Sequence, residues 1–274
     1  MFPPLLVVLG FGIGTFGTLV GAGGGFVLVP LLALLEPDLP TSSITAISLA
    51  VVALNATSGA IAYAREGRID YRSGVPFALA TLPGSIGGAI ATRFIPRDLF
   101  DLVFAVVLIG LSALLLRSQG EAPIAAPEGG GWGRIVHDFA DRQGRRYRYA
   151  VNLPFGIALS FVIGFASSLL GIGGGVIHVP ALVGLLGFPT HVATATSHFV
   201  LAIMATVGTA THLAGGDLDG LVGQALLIGF GAVVGAQLGA VLSSRVHGLL
   251  IARILAVSLI FVGVRLGAQA LLHV

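Results

Sequence analysis

The chain has 274 residues, of which 55% are hydrophobic and 9% charged, with a mean hydropathy of +1.00. An ordinary soluble domain carries roughly 25% charged residues, so the composition excludes one and describes a polytopic membrane protein. All 14 basic residues are arginine, the net charge is +2 and cysteine is absent, which removes disulfides and thiolate metal sites and gives no footprint for nucleic acid.

The N-terminus, MFPPLLVVLGFGIG, lacks the positive n-region of a cleavable signal and reads as the start of a first membrane segment, Leu5 to Val20. That segment stops at Gly21 to Gly25, and a second runs from Phe26 to Leu35. Joined, the two would be roughly 45 Å long at 1.5 Å per residue, too long for one crossing of a ~30 Å core. The glycines are therefore expected to reverse or redirect the chain. After the acidic turn EPDLP (Glu36 to Pro40) come segment 3 (Thr41 to Ala64), an arginine-bearing loop (Arg65 to Arg72), segment 4 (Gly74 to Thr92), the turn RFIPRD and segment 5 (Leu99 to Leu116). Arg117 to Tyr149 is the long polar stretch, with room for a short interfacial amphipathic element in Trp132 to Tyr149. Segments 6 to 10 follow at 151–170, 176–187, Thr190 to Ala214, Leu221 to Leu242 and Gly248 to Leu272. Transmembrane strands would be half as long and alternate in polarity, so the expected class is all-α.

The chain writes one passage twice. GAGGGFVLVP at 21–30 returns as GIGGGVIHVP at 171–180, and LPTSSITAISLAVVALNATSG from Leu39 is echoed by FPTHVATATSHFVLAIMATVG from Phe188. This is internal duplication at a period far too long for a solenoid. It divides the chain into an N-terminal repeat (1–117), a linker (118–150) and a C-terminal repeat (151–274), each repeat with about five helical segments. Charge then relates the halves. The loop after segment 3 carries Arg65, Arg68 and Arg72, whereas its counterpart after segment 8, GGDLDG, carries two aspartates. By the positive-inside rule these equivalent loops lie on opposite faces, so the repeats are expected to be inverted. The linker then falls on the cytoplasmic face and both termini on the opposite one. Arg93 and Arg97 fall outside, a mild violation offset in part by Asp98 and Asp101.

All 12 acidic residues sit in turns, the linker or segment ends, which argues against a pump built on intramembrane carboxylates. What the apolar runs hold is glycine breaks, hydroxyls, a mid-segment amide at Asn55 and histidines. Interrupted glycine segments expose backbone N–H groups, and a helix that starts after the break adds the positive end of its dipole. The candidate binding residues are thus Gly21, Gly23, Gly24, Gly25, Gly171, Gly173, Gly174 and Gly175, with Thr45, Ser48, Asn55, Thr194, Thr196, Ser197 and His198. Other readings stay open: back-bonding to helix carbonyls for the hydroxyls and interhelical hydrogen bonding for Asn55. His178, His198 and His212 are candidates for proton coupling, because imidazole titrates near neutrality, or else structural residues. No histidine pair has metal-ligand spacing with a carboxylate, so no metal or other cofactor is expected. Gly84, Gly88, Gly231, Gly235 and Gly239 read as close helix packing. Gly12-x-Gly14-x-x-Gly17 matches a dinucleotide fingerprint but opens no βαβ unit, and the chain has no lysine for a phosphate-binding Walker loop.

On GAGGGFVLVP with Pro40-Thr41, GIGGGVIHVP with Pro189-Thr190 and ATATSH, and the arginine-rich linker, the sequence resembles the sulfite exporter TauE/SafE family, also called the 4-toluene sulfonate uptake permease family. The resemblance spans essentially the whole chain. It implies transport of small sulfur-containing or organic anions, such as sulfite, sulfonates or sulfoacetate, across a bacterial inner membrane without an ATPase subunit. The expected function is alternating access to an anion site, with a proton, sodium or the membrane potential balancing charge. A channel or uniporter for an uncharged solute is the alternative, and an enzyme is disfavoured for want of a carboxylate dyad, thiol or His-carboxylate set.

Overall fold

The computed structural model describes residues 3–117 and 133–272. They form α1 (Pro3–Leu19), α2 (Gly25–Leu35), α3 (Thr41–Glu66), α4 (Tyr71–Ala91), a 3-10 turn (Thr92–Phe94), α5 (Arg97–Arg117), strands β1 (Arg134–Ala140) and β2 (Arg146–Asn152), α6 (Leu153–Leu170), α7 (Gly175–Gly184), α8 (Thr190–Ala214), α9 (Val222–Arg245) and α10 (Gly248–Leu272). Apart from one hairpin the fold is all-α, as the hydropathy demands. Among the described residues, α3, α4, α6, α8 and α9 are long and apolar enough to cross a membrane. By contrast α2 has 11 residues and α7 has 10. At 1.5 Å per residue each is about 15 Å long, half of a ~30 Å core.

The packing repeats with the sequence. α1 lies on α9 as α6 lies on α4; α3 lies on α9 as α8 lies on α4; and the equivalent pairs α3 with α8 and α5 with α10 pack on each other. Glycine permits the closest approaches, because a Cβ there would run into a neighbouring backbone: Gly84 and Gly88 meet the carbonyls of Phe161 and Phe165, and Gly231, Gly235 and Gly239 those of Val7, Phe11 and Thr15. The same neighbours give direction. Val7, Phe11 and Thr15 meet Gly231, Gly235 and Gly239 in ascending order, so α1 and α9 are parallel. Leu54 touches Gly229 and Ser58 bonds to Val233, so α3 is parallel to both. Gly59 instead faces His198 while Leu49 faces Gly208, so α3 and its repeat α8 are antiparallel. With α1 and α3 running the same way, α2 between them runs back.

The sheet is a two-stranded antiparallel hairpin that pairs Arg134 with Asn152 and Ala140 with Arg146. It occupies the part of the linker where an amphipathic element was expected. RYRYAVN alternates in the period of two that a strand requires, with Tyr147, Tyr149 and Val151 buried and Arg146 and Arg148 exposed. Linker residues 118–132, Trp132 among them, lie outside the described residues.

Candidate functional site

Two half-length helices begin in the middle of the molecule. α1 ends at Leu19, and Gly21, Gly23 and Gly24 take φ of 78°, 73° and 84° before α2 starts. α6 ends likewise, with Gly171 at φ 65° and Gly173 at 68°. Only glycine enters this left-handed region without strain, so the two clusters break the helices at the same point in each repeat. Neither N-cap, Gly24 or Gly174, supplies a side-chain hydrogen bond to the helix start. The N–H groups of Gly25 and Phe26, and of Gly175 and Val176, come before the first intrahelical bonds, which Val27 and Ile177 make to the Gly24 and Gly174 carbonyls at 3.1 Å each, and they receive no side-chain cap from those residues. Farther along, Pro30 and Pro180 cannot donate to the carbonyls of Phe26 and Val176, which loosens the same first turns.

The breaks meet. A Cβ on Gly25 would lie 2.6 Å from the Ile172 carbonyl oxygen, and one on Gly175 would strike that of Gly21. Gly23 and Gly173 both abut Val52 and Leu201, the midpoints of α3 and α8. Every residue from 21 to 26 and from 171 to 176 is buried. α3 and α8 close the cluster crosswise: Thr45 packs on Gly171 and Thr194 on Gly21, while the Ser48 hydroxyl donates to the Gly171 carbonyl at 2.6 Å and that of Ser197 reaches the Gly21 carbonyl at 3.5 Å.

Among the described residues, Thr45 Oγ1 is buried with no hydrogen-bond partner, as is Ser167 Oγ, close to Gly174. Asn55 donates to the Gly23 carbonyl at 3.2 Å and accepts from Thr18 Oγ1 at 3.1 Å. His198 Nε2 lies 3.2 Å from the same Thr18 hydroxyl, and the ring is fully buried beside the Gly21 backbone. Thr194 bonds back to the Thr190 carbonyl, so its hydroxyl follows the helix-bonding pattern. Three of the residues singled out from sequence lie away from the breaks. Thr196 accepts from the Asp70 N–H toward the hairpin end, His178 pairs with Ser160 at 3.2 Å, and His212 pairs with Asp217 at 2.7 Å. The residues missed from sequence are Thr18, Tyr63, Ser85, Ser167 and Ser168. Tyr63 donates to the Thr18 carbonyl at 2.6 Å, and Ser85 and Ser168 share a hydrogen bond of 2.7 Å. For Thr18, Ser167 and Ser168 the signal was a hydroxyl just before each glycine cluster.

Each end of the bundle is tied by charge. At the α3 end the hairpin docks through Asp70, which takes the Tyr149 hydroxyl at 2.8 Å and His137 at 3.2 Å. Burial raises the Asp70 pKa, but the hydrogen bond and charge of His137, with the Tyr149 and Ser73 bonds, outweigh it and hold the carboxyl below its ordinary range. Burial, then the Asp141 carboxylate, pushes the Tyr147 hydroxyl up to about 12. At the other end Arg93 pairs with Asp217 at 2.9 Å beside His212. Desolvation opposes ionisation of Asp217, yet those two partners keep its carboxyl below the ordinary range.

Membrane-length helices that enclose two half-length helices, starting back to back at the centre, make this a multi-pass membrane transporter. The chain belongs to the sulfite exporter TauE/SafE family, whose model matches residues 6–266. It is 34% identical over 268 residues to the probable membrane transporter protein YunE of Bacillus subtilis, covering 96% of each chain. It is 26% identical to the probable membrane transporter protein MJ0441 of Methanocaldococcus jannaschii over 77% of this chain and 72% of that one. A probable membrane transporter protein of Xylella fastidiosa is 26% identical over 88% of this chain and 85% of its own. No solved structure matches the chain.

Proposed function

We infer that the protein is a secondary transporter that carries a small oxyanion or organosulfonate, of the sulfite or sulfoacetate kind, across the inner membrane by alternating access, and that it catalyses no reaction. The observation that carries this reading is the meeting of two buried helix starts without side-chain caps, flanked by the Thr45 and Ser167 hydroxyls, which have no hydrogen-bond partner among the described residues. N–H groups and a helix-dipole end favour negative charge, and Thr45, Ser167 and His198 add hydroxyl and imidazole groups within the same centre. Ser48, Ser197 and Asn55 hold the glycine carbonyls, which turns acceptors away from the anion. The antiparallel relation of α3 and α8 supports two inverted repeats that rock about the breaks, each exposing the site to one face.

The test is uptake of radiolabelled sulfite and sulfoacetate by proteoliposomes under an imposed potential. The expected result is saturable uptake that follows voltage, at about 2.3 kcal/mol per charge per 100 mV, and that Gly173→Leu abolishes. Voltage-independent flux of an uncharged solute, with neither anion moved, would establish the channel alternative. Dependence of the rate on a proton or sodium gradient would name the coupling ion.

A further inference from the structure

Arg68 is the largest fully buried side chain, and its Nη1 and Nη2 have no hydrogen-bond partner among the described residues. Its Nε lies 3.1 Å from Glu66 Oε2, without hydrogen-bond alignment, and 4.0 Å from Asp141 Oδ2. The guanidinium is thus balanced by charge while the two outer nitrogens of its fork have no protein partner among the described residues. That fork is the geometry that takes two oxygens of a planar or pyramidal oxyanion.

The repeat sharpens the point. α3 ends on Gly67 at φ 71°, with Arg68 N–H bonded to the Tyr63 carbonyl; α8 ends the same way through Gly216 at φ 76°, with Asp217 N–H bonded to the His212 carbonyl. The two C-caps have one geometry, so Arg68 and Asp217 occupy equivalent positions with opposite charge. The acid is satisfied by Arg93 and His212, whereas the cation is not.

Asp141 belongs to the hairpin. Its Oδ1 accepts from the Gln143 and Arg145 N–H groups at 2.9 Å each, and its Oδ2 accepts from the Tyr147 hydroxyl at 3.1 Å, all within the hairpin. The carboxylate therefore travels with the hairpin as a unit. The turn end is tied to the bundle by the Arg142 N–H on the Glu66 carbonyl at 3.0 Å and by Arg145 on the Ser244 carbonyl of α9 at 3.1 Å, so it bridges both repeats. The strand end stays anchored on Asp70 through His137 and Tyr149. Below Arg68, the buried polar residues Tyr63, Thr18, His198 and Asn55 lead to Gly23.

Resting on the anion-transport reading, we propose that Arg68 is an anion-binding station at the hairpin face, that Asp141 supplies part of its counter-charge, and that an incoming oxyanion taken by the two outer nitrogens replaces that counter-charge and lifts the hairpin turn. The hairpin is the gate of that face.

The test is backbone hydrogen exchange at the Arg142 amide, which reports the contact with α3, in the full-length protein in nanodiscs. Without added anion, Asp141→Asn is expected to exchange at least tenfold faster than wild type and Asp141→Glu to restore protection. Unchanged protection in Asp141→Asn overturns the gate. Sodium sulfite is expected to speed exchange in wild type, where chloride at equal ionic strength does not, and to lose its effect in Arg68→Gln. A sulfite response that survives in Arg68→Gln overturns the station; Arg68→Lys, which keeps the charge without the fork, is expected to need roughly tenfold more sulfite. A hairpin loosened by Asp141→Asn in a protein that transports neither sulfite nor sulfoacetate overturns the substrate reading and leaves the Arg68–Asp141 gate standing.

Discussion

Ser48 and Ser197 hold the same position in the two repeats, yet their hydrogen bonds to the opposite break differ, at 2.6 Å and 3.5 Å. A buried hydrogen bond contributes about 1 kcal/mol net, and one at the distance limit much less. Ser48→Ala is therefore expected to lower the thermal midpoint of the purified protein and Ser197→Ala to leave it nearly unchanged; equal shifts would mean that both clamps are equally strong. Thr45 makes the contrasting case, because its buried hydroxyl has no partner to lose among the described residues. Thr45→Val, which keeps the shape, is expected to hold stability and to reduce anion uptake severalfold, with unaltered uptake removing Thr45 from the site. The sequence named Thr45, Ser48 and Ser197 through the echo alone. It offered no means of telling a clamp from a free donor, because that depends on which carbonyl the fold sets opposite each hydroxyl.

The elements that carry the transport reading are α2 and α7, and what makes them is the glycine cluster before each. Gly25→Ala and Gly175→Ala place a Cβ against backbone of the opposite break, and each is expected to abolish uptake. Gly12→Ala meets nothing within 4 Å and is expected to be neutral or to stabilise by up to ~1 kcal/mol, as for Gly to Ala inside a helix. The hairpin adds a pH dependence at this scale. Since the Asp70 carboxyl is held below its ordinary 3.8, its contribution to docking is fully present above that pH and is lost as pH falls through the lower folded value. Amide protection across β1 and β2 is expected to persist from neutral pH to about pH 4 and to fall below it; loss well above that pH would remove the Asp70 carboxylate as the docking group. The strands were legible in the alternation of RYRYAVN, but arginine-rich linker composition masked a signal that only seven residues carry.

For the whole molecule, the hairpin, the C-terminal end of α3 and the start of α8 share one end, while Arg93 and the α8–α9 loop share the other. Gln143→Cys and Asp219→Cys, both at exposed positions of a chain without native cysteine, are expected to react with an impermeant maleimide from opposite sides of the membrane. Labelling from the same side would refute the inverted arrangement. The arginine at 93 that breaks the positive-inside pattern is neutralised by Asp217 in the fold, a partner 124 residues away that no loop-by-loop charge count includes.

The sequence by itself determined the membrane class, the helix count per repeat, the duplication and the two breaks. These are properties of composition, local periodicity and glycine's access to positive φ, which need no distant partner. Tertiary structure alone decided that the breaks abut at the centre, that Tyr63 and Thr18 join His198 and Asn55, and that Arg68 lies buried under the linker with no protein partner for its outer nitrogens among the described residues. Each of those depends on residues from separate helices meeting in space, and hydropathy carries no information about which face of one apolar helix turns toward another.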